Sequence, residues 1–367
     1  MRIIHLASGD LWAGAEVQLF HLALNLKQKD EIDLLIVLLN DGQLANELRS
    51  RGVDVFILDE AKLSFFKIVS KFNKICKQFR PDVIHTHRVK ENLIGGVITF
   101  LLRCKSVRTV HGAPEFSGNL KTRIISFIDN FVATFFQHKV IAVSHELKEK
   151  LAIYSFRKKI EVIENCIDIE HVKSKAIIEN DYRVNNEQFN IAFVGRFVAV
   201  KRTDLFIDII QDVNKRYPNL NIQFHMFGDG PLWEQAKTSI TKLSLMDNVN
   251  LAGFVDNSAS YINKMDLLLI TSDHEGLPMT LLEAMALKVA VMSRNLVTIK
   301  HVLCGGDCGY ILSSDTASIF SNEIATVIRN KENYNSIKLR AYNAVVDNYS
   351  IQVLIERYVG LYKGLLS

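Results

Sequence analysis

The stretch Asp266–Ala290, DLLLITSDHEGLPMTLLEAMALKVA, holds two carboxylates, Glu275 and Glu283, on either side of Gly276, Leu277 and Pro278. The preceding run Leu267–Ile270 is apolar without alternation and reads as a buried strand. Pro278 suits the first turn of a helix, where its missing N–H costs nothing. Met279–Leu287 continues with strong helix formers, closed by Lys288. This order presents a helix N-terminus at the carboxyl end of a strand, where α/β sheets bind ligands. Backbone amides around Met279, Thr280 and Leu281 suit a phosphate. A carboxylate does not bind phosphate, so the two glutamates are read as acceptors for hydroxyls flanking it. A ligand with hydroxyls on both sides of a phosphate is a sugar nucleotide. The plainer reading, two glutamates favoured by a helix dipole, stays open on spacing alone.

Other residues fit the same chemistry. In FVGRFVAVKRTD, Gly195 and Arg196 follow a strand and Lys201 lies just beyond. Two cations at a strand end suit a diphosphate, arginine by its fork and lysine as a point charge. FGDGPLWEQA places Gly228, Gly230 and Pro231 before a helix, and SGDLWAG places Gly14 between a strand and a helix. Such loops approach phosphates closely, although no GxGxxG is present. No Asp-x-Asp occurs anywhere, so the usual metal-holding carboxylate pair is missing and the cations are expected to take the place of a metal.

These residues need strands and helices to position them. Strand-like runs occur at Arg2–Ala7, Leu34–Leu39, Val53–Leu58, Val83–His85, Val107–Val110, Val140–Val143 and Ile160–Ile163, with helical segments between them. A second series follows at Asn190–Val194, Ile222–Phe227, Val249–Ala252, Leu267–Ile270 and Val289–Met292. Strands alternating with helices predict parallel, doubly wound sheets. The chain turns polar between Asp168 and Asn190, which predicts a boundary there: one domain over 1–170, a second over 171–346, and a closing helix over 347–367 that returns to the first. Two sheets whose strand ends face one another across a cleft would hold the ligand between them.

Composition bounds the rest. A chain of 367 residues with 48% hydrophobic content can fill two cores, and a net charge of +4 is too mild to imply nucleic acid. Five scattered cysteines suit a reducing, cytoplasmic compartment. Cys304 and Cys308 are the one close pair, and with only His301 near they make a poor metal site. No signal peptide is read at the start, and no apolar run reaches the ~18 residues of a membrane span.

The WAGAE, TVHG, AVS and ENCID segments, then Arg196 and Lys201, GDGP, GF and Glu275-x7-Glu283 follow one another in an order that resembles the retaining GT-B glycosyltransferases of the GT4 type (glycosyl transferases group 1). The resemblance runs over nearly the whole chain. It implies two Rossmann-like domains and transfer of a sugar from a nucleotide-diphosphate donor to a glycan or lipid-linked acceptor, as in bacterial envelope polysaccharide synthesis, with retention of configuration and no metal or other cofactor. By the same resemblance, Arg196 and Lys201 meet the diphosphate and the Gly228–Gly230 loop lines the nucleotide pocket. The backbone of Phe254 and Val255 pairs with the base, Glu275 holds sugar hydroxyls, and Glu283 holds the ribose. His111 lies near the transferred sugar, and the acceptor meets Gly14 and the loop of Arg88, Lys90 and Asn92. The chain departs from the family pattern where Ala13 replaces a loop glycine, where Arg202 follows Lys201 in place of glycine, and where SRNLVTIKHVL lacks a glycine pair and carries His301 in place of a glutamate. His85, His87 and His145 are weaker candidates for the same place, and His85 and His87 read mainly as loop or core residues.

Two other classes stay open: an epimerase or hydrolase acting on a sugar nucleotide, and a catalytically silent nucleotide-binding subunit. The predicted helix Lys62–Arg80 carries six cations, no acid and interleaved phenylalanines, and Ile124–Phe136 adds apolar surface. It is read either as a solvated face over a core-facing stripe or as a surface that docks on the anionic inner face of the cytoplasmic membrane.

Overall fold

Strand β1 (Arg2–Ala7) is the hub of the first sheet, pairing in parallel with β2 (Asp33–Leu38) on one side and β4 (Val83–Thr86) on the other. β3 (Val55–Ile57) extends one edge, and β5 (Lys105–Val110), β6 (Lys139–Ala142) and β7 (Ile160–Val162) extend the other, giving the order β3-β2-β1-β4-β5-β6-β7. The computed structural model describes residues 1–10, 14–111, 128–129, 131–152 and 159–367. Trp12, Ala13 and Gly112 of the WAGAE and TVHG segments, and residues 124–127 and 130 of Ile124–Phe136, lie outside the described residues. Because both faces of these strands are covered, they are apolar at nearly every position, as in β1 and β2.

The second sheet repeats the plan in the order β10-β9-β8-β11-β12-β13. Its strands are β8 (Phe189–Val194), β9 (Ile222–Phe227), β10 (Val249–Gly253), β11 (Leu267–Ile270), β12 (Ala290–Arg294) and β13 (Tyr310–Leu312). In each sheet the chain reverses its winding at one point, between β1 and β4 in the first and between β8 and β11 in the second. Loops leaving the carboxyl ends of those strands open a crevice.

The molecule divides into two units, Met1–Cys166 with Ile351–Ser367, and Ile167–Ser350. The sequence reading placed the first boundary at 170 and the closing helix from 347. The structure moves both. Asp168 caps the helix Ile169–Ala176 by accepting from the His171 amide at 2.9 Å, and Ile169, Val172 and Ala176 are buried in the second unit's core. An eight-residue helix with three buried side chains reads as polar from composition, which hid it. Asp347 to Tyr349 complete the helix Lys331–Tyr349, and Tyr349 is buried in the same core. The closing helix is Ile351–Leu366, whose Ile351, Leu354, Ile355, Tyr358, Leu361 and Tyr362 are buried in the first unit. Burial of side chains of that size is worth ~1.5–3 kcal/mol each, so this helix is an integral part of the first unit.

The cationic helix runs Phe65–Phe79, shorter than expected, because the residues around Lys62 form a turn held by Asp59. It buries Ile68, Phe72 and Cys76 and leaves Phe66 82% exposed among its lysines. No helix among the described residues is long and apolar enough to cross a membrane.

Candidate active site

The loops after β8 and β11 meet at the switch point of the second sheet. Gly195 follows β8, and its amide is held by the Phe227 carbonyl at 3.0 Å. Gly228 sits against it at φ +130°, and a Cβ there would lie 1.9 Å from the Gly195 carbonyl oxygen. Gly230 is packed as tightly: a Cβ would come within 2.6 Å of the Phe197 oxygen. Glycine is required here because two loop backbones touch. Together they wall a pocket of about 500 Å³ lined by Val194, Gly195, Arg196, Phe227, Gly228, Asp229, Gly230, Phe254, Val255 and Ser258. This lies within the usual range for small-molecule sites. Arg196 is exposed at this pocket and pairs with no acid among the described residues. Phe254 presents a ring that is 73% exposed.

Lys201 ends a short 3-10 turn, Ala199–Lys201, and its ammonium donates to Glu275 Oε1 at 2.6 Å. Ser272 donates to the same oxygen at 2.5 Å. The two loops are also stitched by Thr271, whose hydroxyl donates to the Lys201 carbonyl at 2.8 Å, and by the Asp273 amide on the Val200 carbonyl at 2.8 Å. The expectation had Lys201 facing phosphate and Glu275 facing hydroxyls. The structure pairs them with each other, 74 residues apart in sequence. Arg202, where the family carries glycine, adopts the left-handed conformation itself at φ +51°. That costs a side-chain-bearing residue ~1–2 kcal/mol. Ion pairs from its guanidinium to Asp204 at 2.9 Å and Asp273 at 3.2 Å offset the strain.

The helix Met279–Ala286 begins one residue later than the sequence suggested: Pro278 is its cap, in extended conformation. A Cβ on Gly276 would meet nothing within 4 Å, so the loop before the helix is open. Glu283, one turn in, accepts from the Ser258 hydroxyl at 2.7 Å. Burial holds its carboxyl above the usual range, against the opposing pull of that bond and of Lys175. Ser258, Val194 and Phe227 were not anticipated. Ser258 stands outside every motif and is brought in only by the fold.

In the first unit, Gly14 opens the helix Gly14–Lys27. Arg88, at the end of β4, reaches Asp10 at 3.0 Å and also pairs with Glu16. Lys90 is exposed and paired with Glu60. Asn92 departs from its expected place on the acceptor side. It is fully buried, donates to Asp129 Oδ1 at 2.6 Å and accepts from Gln137. Asp129 in turn pairs with buried Arg108 at 2.8 Å. Asn92 lies on the inner side of the helix Val89–Leu102, so it braces a core network and does not face a ligand. His111 follows β5, with its Nε2 3.3 Å from His87 Nδ1. Burial first, and Arg88 second, hold its pKa down to about 4, so the ring is neutral. His85 and His87 are core residues, as expected.

The comparisons with known proteins converge. The family profile described as Glycosyltransferase Family 4 matches residues 12–171, and that described as Glycosyl transferases group 1 matches residues 174–344. The chain is 25% identical to the capsular polysaccharide biosynthesis glycosyltransferase CapH of Staphylococcus aureus, over 81% of this chain and 82% of that protein. It is 23% identical to the UDP-Gal:alpha-D-GlcNAc-diphosphoundecaprenol alpha-1,3-galactosyltransferase of Escherichia coli, over 99% and 96%. Anabaena Alr3699/HepE in complex with UDP superposes with a TM-score of 0.80 at 18% identity, covering 99% of this chain and all of that one. With two parallel α/β sheets, a glycine-walled pocket at the second switch point and both family profiles in register, the chain belongs to the GT4-type glycosyltransferases of the GT-B fold.

Proposed function

We propose that this enzyme transfers a sugar from a nucleoside-diphosphate sugar to a glycan or lipid-linked acceptor, with retention of configuration and without a metal. The observation that carries the reading is Arg196, which pairs with no acid among the described residues, at a pocket of about 500 Å³ beside the Lys201–Glu275 pair. A diphosphate arriving there supplies the anion that Arg196 lacks and competes with Glu275 for Lys201. Glu275, released, accepts from sugar hydroxyls, and Glu283 with Ser258 accepts from and donates to the ribose. The exposed Phe254 and the Val255 backbone flank the base.

In the transfer step the bond from C1 to the leaving phosphate oxygen breaks, and a bond from C1 to the acceptor oxygen forms on the same face. The acceptor proton passes to the departing phosphate oxygen, so no side-chain nucleophile is required. Arg196, Lys201 and the N-terminus of Met279–Ala286 stabilise the charge that develops on the diphosphate. In the first unit, neutral His111 meets a hydroxyl of the transferred sugar, while Arg88 and Lys90 face the acceptor. Support for a glycan or lipid-linked acceptor comes from the CapH and diphosphoundecaprenol-acting relatives. An anionic membrane surface is part of the proposal, because Phe65 and Phe66 are exposed beside the lysines of Phe65–Phe79.

Screening nucleoside-diphosphate sugars for thermal stabilisation tests the donor assignment, since a ligand that binds only the folded state raises apparent stability. Product analysis with labelled donor then separates transfer from the alternatives. Free sugar or an epimer, with no glycoside formed on any polysaccharide precursor, would overturn transfer. Failure of every nucleoside-diphosphate sugar to stabilise the protein would overturn the donor.

A further inference from the structure

One face of the first sheet carries a row of polar side chains where a core is expected. Strand register explains it. His5 of β1 and His85 of β4 are partners across a parallel pair, and His85 partners Val107 of β5. Side chains alternate along a strand, so His87, Thr109 and His111 fall on the same face as His5 and His85. The helix Ile351–Leu366 covers this face and brings Tyr358 and Tyr362, one turn apart, onto it. His5, His85 and Tyr362 are completely buried.

These groups bond in single file. His111 Nε2 is 3.3 Å from His87 Nδ1, and His87 Nε2 is 2.9 Å from His5 Nδ1. His5 Nε2 is 3.3 Å from the Tyr362 hydroxyl, which is 2.6 Å from His85 Nδ1. His85 Nε2 is 2.8 Å from Thr109 Oγ1, itself 3.3 Å from the Tyr358 hydroxyl. All six ring nitrogens of His5, His85 and His87 are therefore engaged. Burial holds the pKa of His5 down to about 3 and those of His85 and His87 well below the usual value. Each ring is neutral, with one N–H and one lone pair.

A file of neutral imidazoles has two polarities, and one bond selects between them. A separation of 2.6 Å is short for an N–H donor and ordinary for an O–H donor. Tyr362 therefore donates to His85 Nδ1, and its oxygen accepts from His5 Nε2–H. His5 Nδ1 then accepts from His87 Nε2–H, and His87 Nδ1 accepts from His111 Nε2–H. At the other end, His85 Nε2–H donates to Thr109.

We propose that this file, polarised by Tyr362, holds His111 as its Nε2–H tautomer, so that Nδ1 offers a lone pair to a hydroxyl of the sugar. Tyr362, His5 and His87 are positioning residues that act through His111. The assignment deepens the proposed sugar contact of His111 and rests on it. The competing use of the same rings is a metal site, because nitrogens of His5, His85 and His87 lie within 4.8 Å of one another.

The test is long-range nitrogen–proton correlation spectroscopy on the full chain labelled with nitrogen-15 histidine, with His111→Gln assigning the signals. The expected result is protonated Nε2 and bare Nδ1 at His111 in the unsubstituted protein. Tyr362→Phe should shift His111 to a mixture of tautomers and lower kcat/KM about tenfold, with nucleotide affinity unchanged. Tyr358→Phe, at the far end of the file, should leave the His111 signals in place. A protonated Nδ1 in the unsubstituted protein overturns the proposal whether or not Tyr362→Phe folds. So do His111 signals unmoved by a folded Tyr362→Phe, or a stoichiometric metal found by elemental analysis of the purified protein. Unaltered kcat/KM in His111→Gln, with the tautomer as expected, would instead remove His111 from the sugar site and leave the polarity of the file standing.

Discussion

Arg196 and Lys201 divide the work of holding a diphosphate in different ways. Arg196 pairs with no acid among the described residues, whereas Lys201 is held by Glu275 at 2.6 Å. Replacing either with alanine should cost at least ~2–3 kcal/mol of transition-state stabilisation, read from kcat/KM, by analogy with loss of one oxyanion donor. Activity within a few-fold of the unsubstituted enzyme, in a folded variant, would remove that cation from the site. Lys201→Ala carries a second consequence, because it leaves Glu275 with Ser272 as its remaining hydrogen-bond partner among the described residues. If two cations serve where other enzymes use a metal, transfer should also survive EDTA. Loss of activity on chelation, restored by magnesium or manganese, would show that the carboxylates hold an ion after all.

At the scale of elements, the β8 and β9 loops touch backbone to backbone, and Gly228 makes that contact possible. Gly228→Ala would force a Cβ into the Gly195 carbonyl at a φ disfavoured for alanine. We expect a loss of ~3 kcal/mol or more in urea denaturation, together with loss of stabilisation by nucleotide sugar. Gly276→Ala enters open space and should change stability by less than ~0.5 kcal/mol, so any loss of donor binding there reports on the ligand. Equal stability of the two variants would contradict the packing described. The helix Phe65–Phe79 makes a separate prediction. Each lysine that reaches an anionic surface contributes ~1 kcal/mol. Co-sedimentation with vesicles should therefore rise with anionic lipid, fall with salt, and weaken when Lys67, Lys71 and Lys74 become glutamate. A protein that stays in the supernatant at low salt at every lipid composition has a merely solvated cationic face.

For the molecule as a whole, buried histidines set the response to acid. His5, His111 and His225 are held down to about 3, 4 and 4 by burial, and His85 and His87 lie well below the ordinary 6.5. A histidine depressed on folding contributes stability that is complete above its unfolded value and is lost as pH falls toward its folded value. Between about 6.5 and 4 the unfolded chain binds the extra protons, so stability rises with pH by up to ~1.4 kcal/mol per pH unit for each such group. The first unit holds four of these five histidines, so its unfolding should move to lower urea before that of the second as pH is lowered from 7.5 to 5. Midpoints that do not move over that range would show that these rings take up protons in the fold as they do in the unfolded chain.

Much of this enzyme is local in sequence. The apolar runs of β1, β9 and β11, the glycines at 228 and 230, and the carboxylates at 275 and 283 each sit within a strand–loop–helix segment whose residues dictate its conformation. That sufficed for two doubly wound sheets and for the pocket in the second. Short elements escaped: β13 has three residues, and the helix Ile169–Ala176 hides its buried face in polar company. The tertiary structure alone decided which distant residues meet. It set Lys201 against Glu275 and Ser258 against Glu283, turned Asn92 into the core, and laid Tyr362 of the last helix against histidines of β1 and β4. Spacing along a chain fixes which face a side chain takes, but parallel sheets join strands through long crossovers, so which faces come together is set by packing.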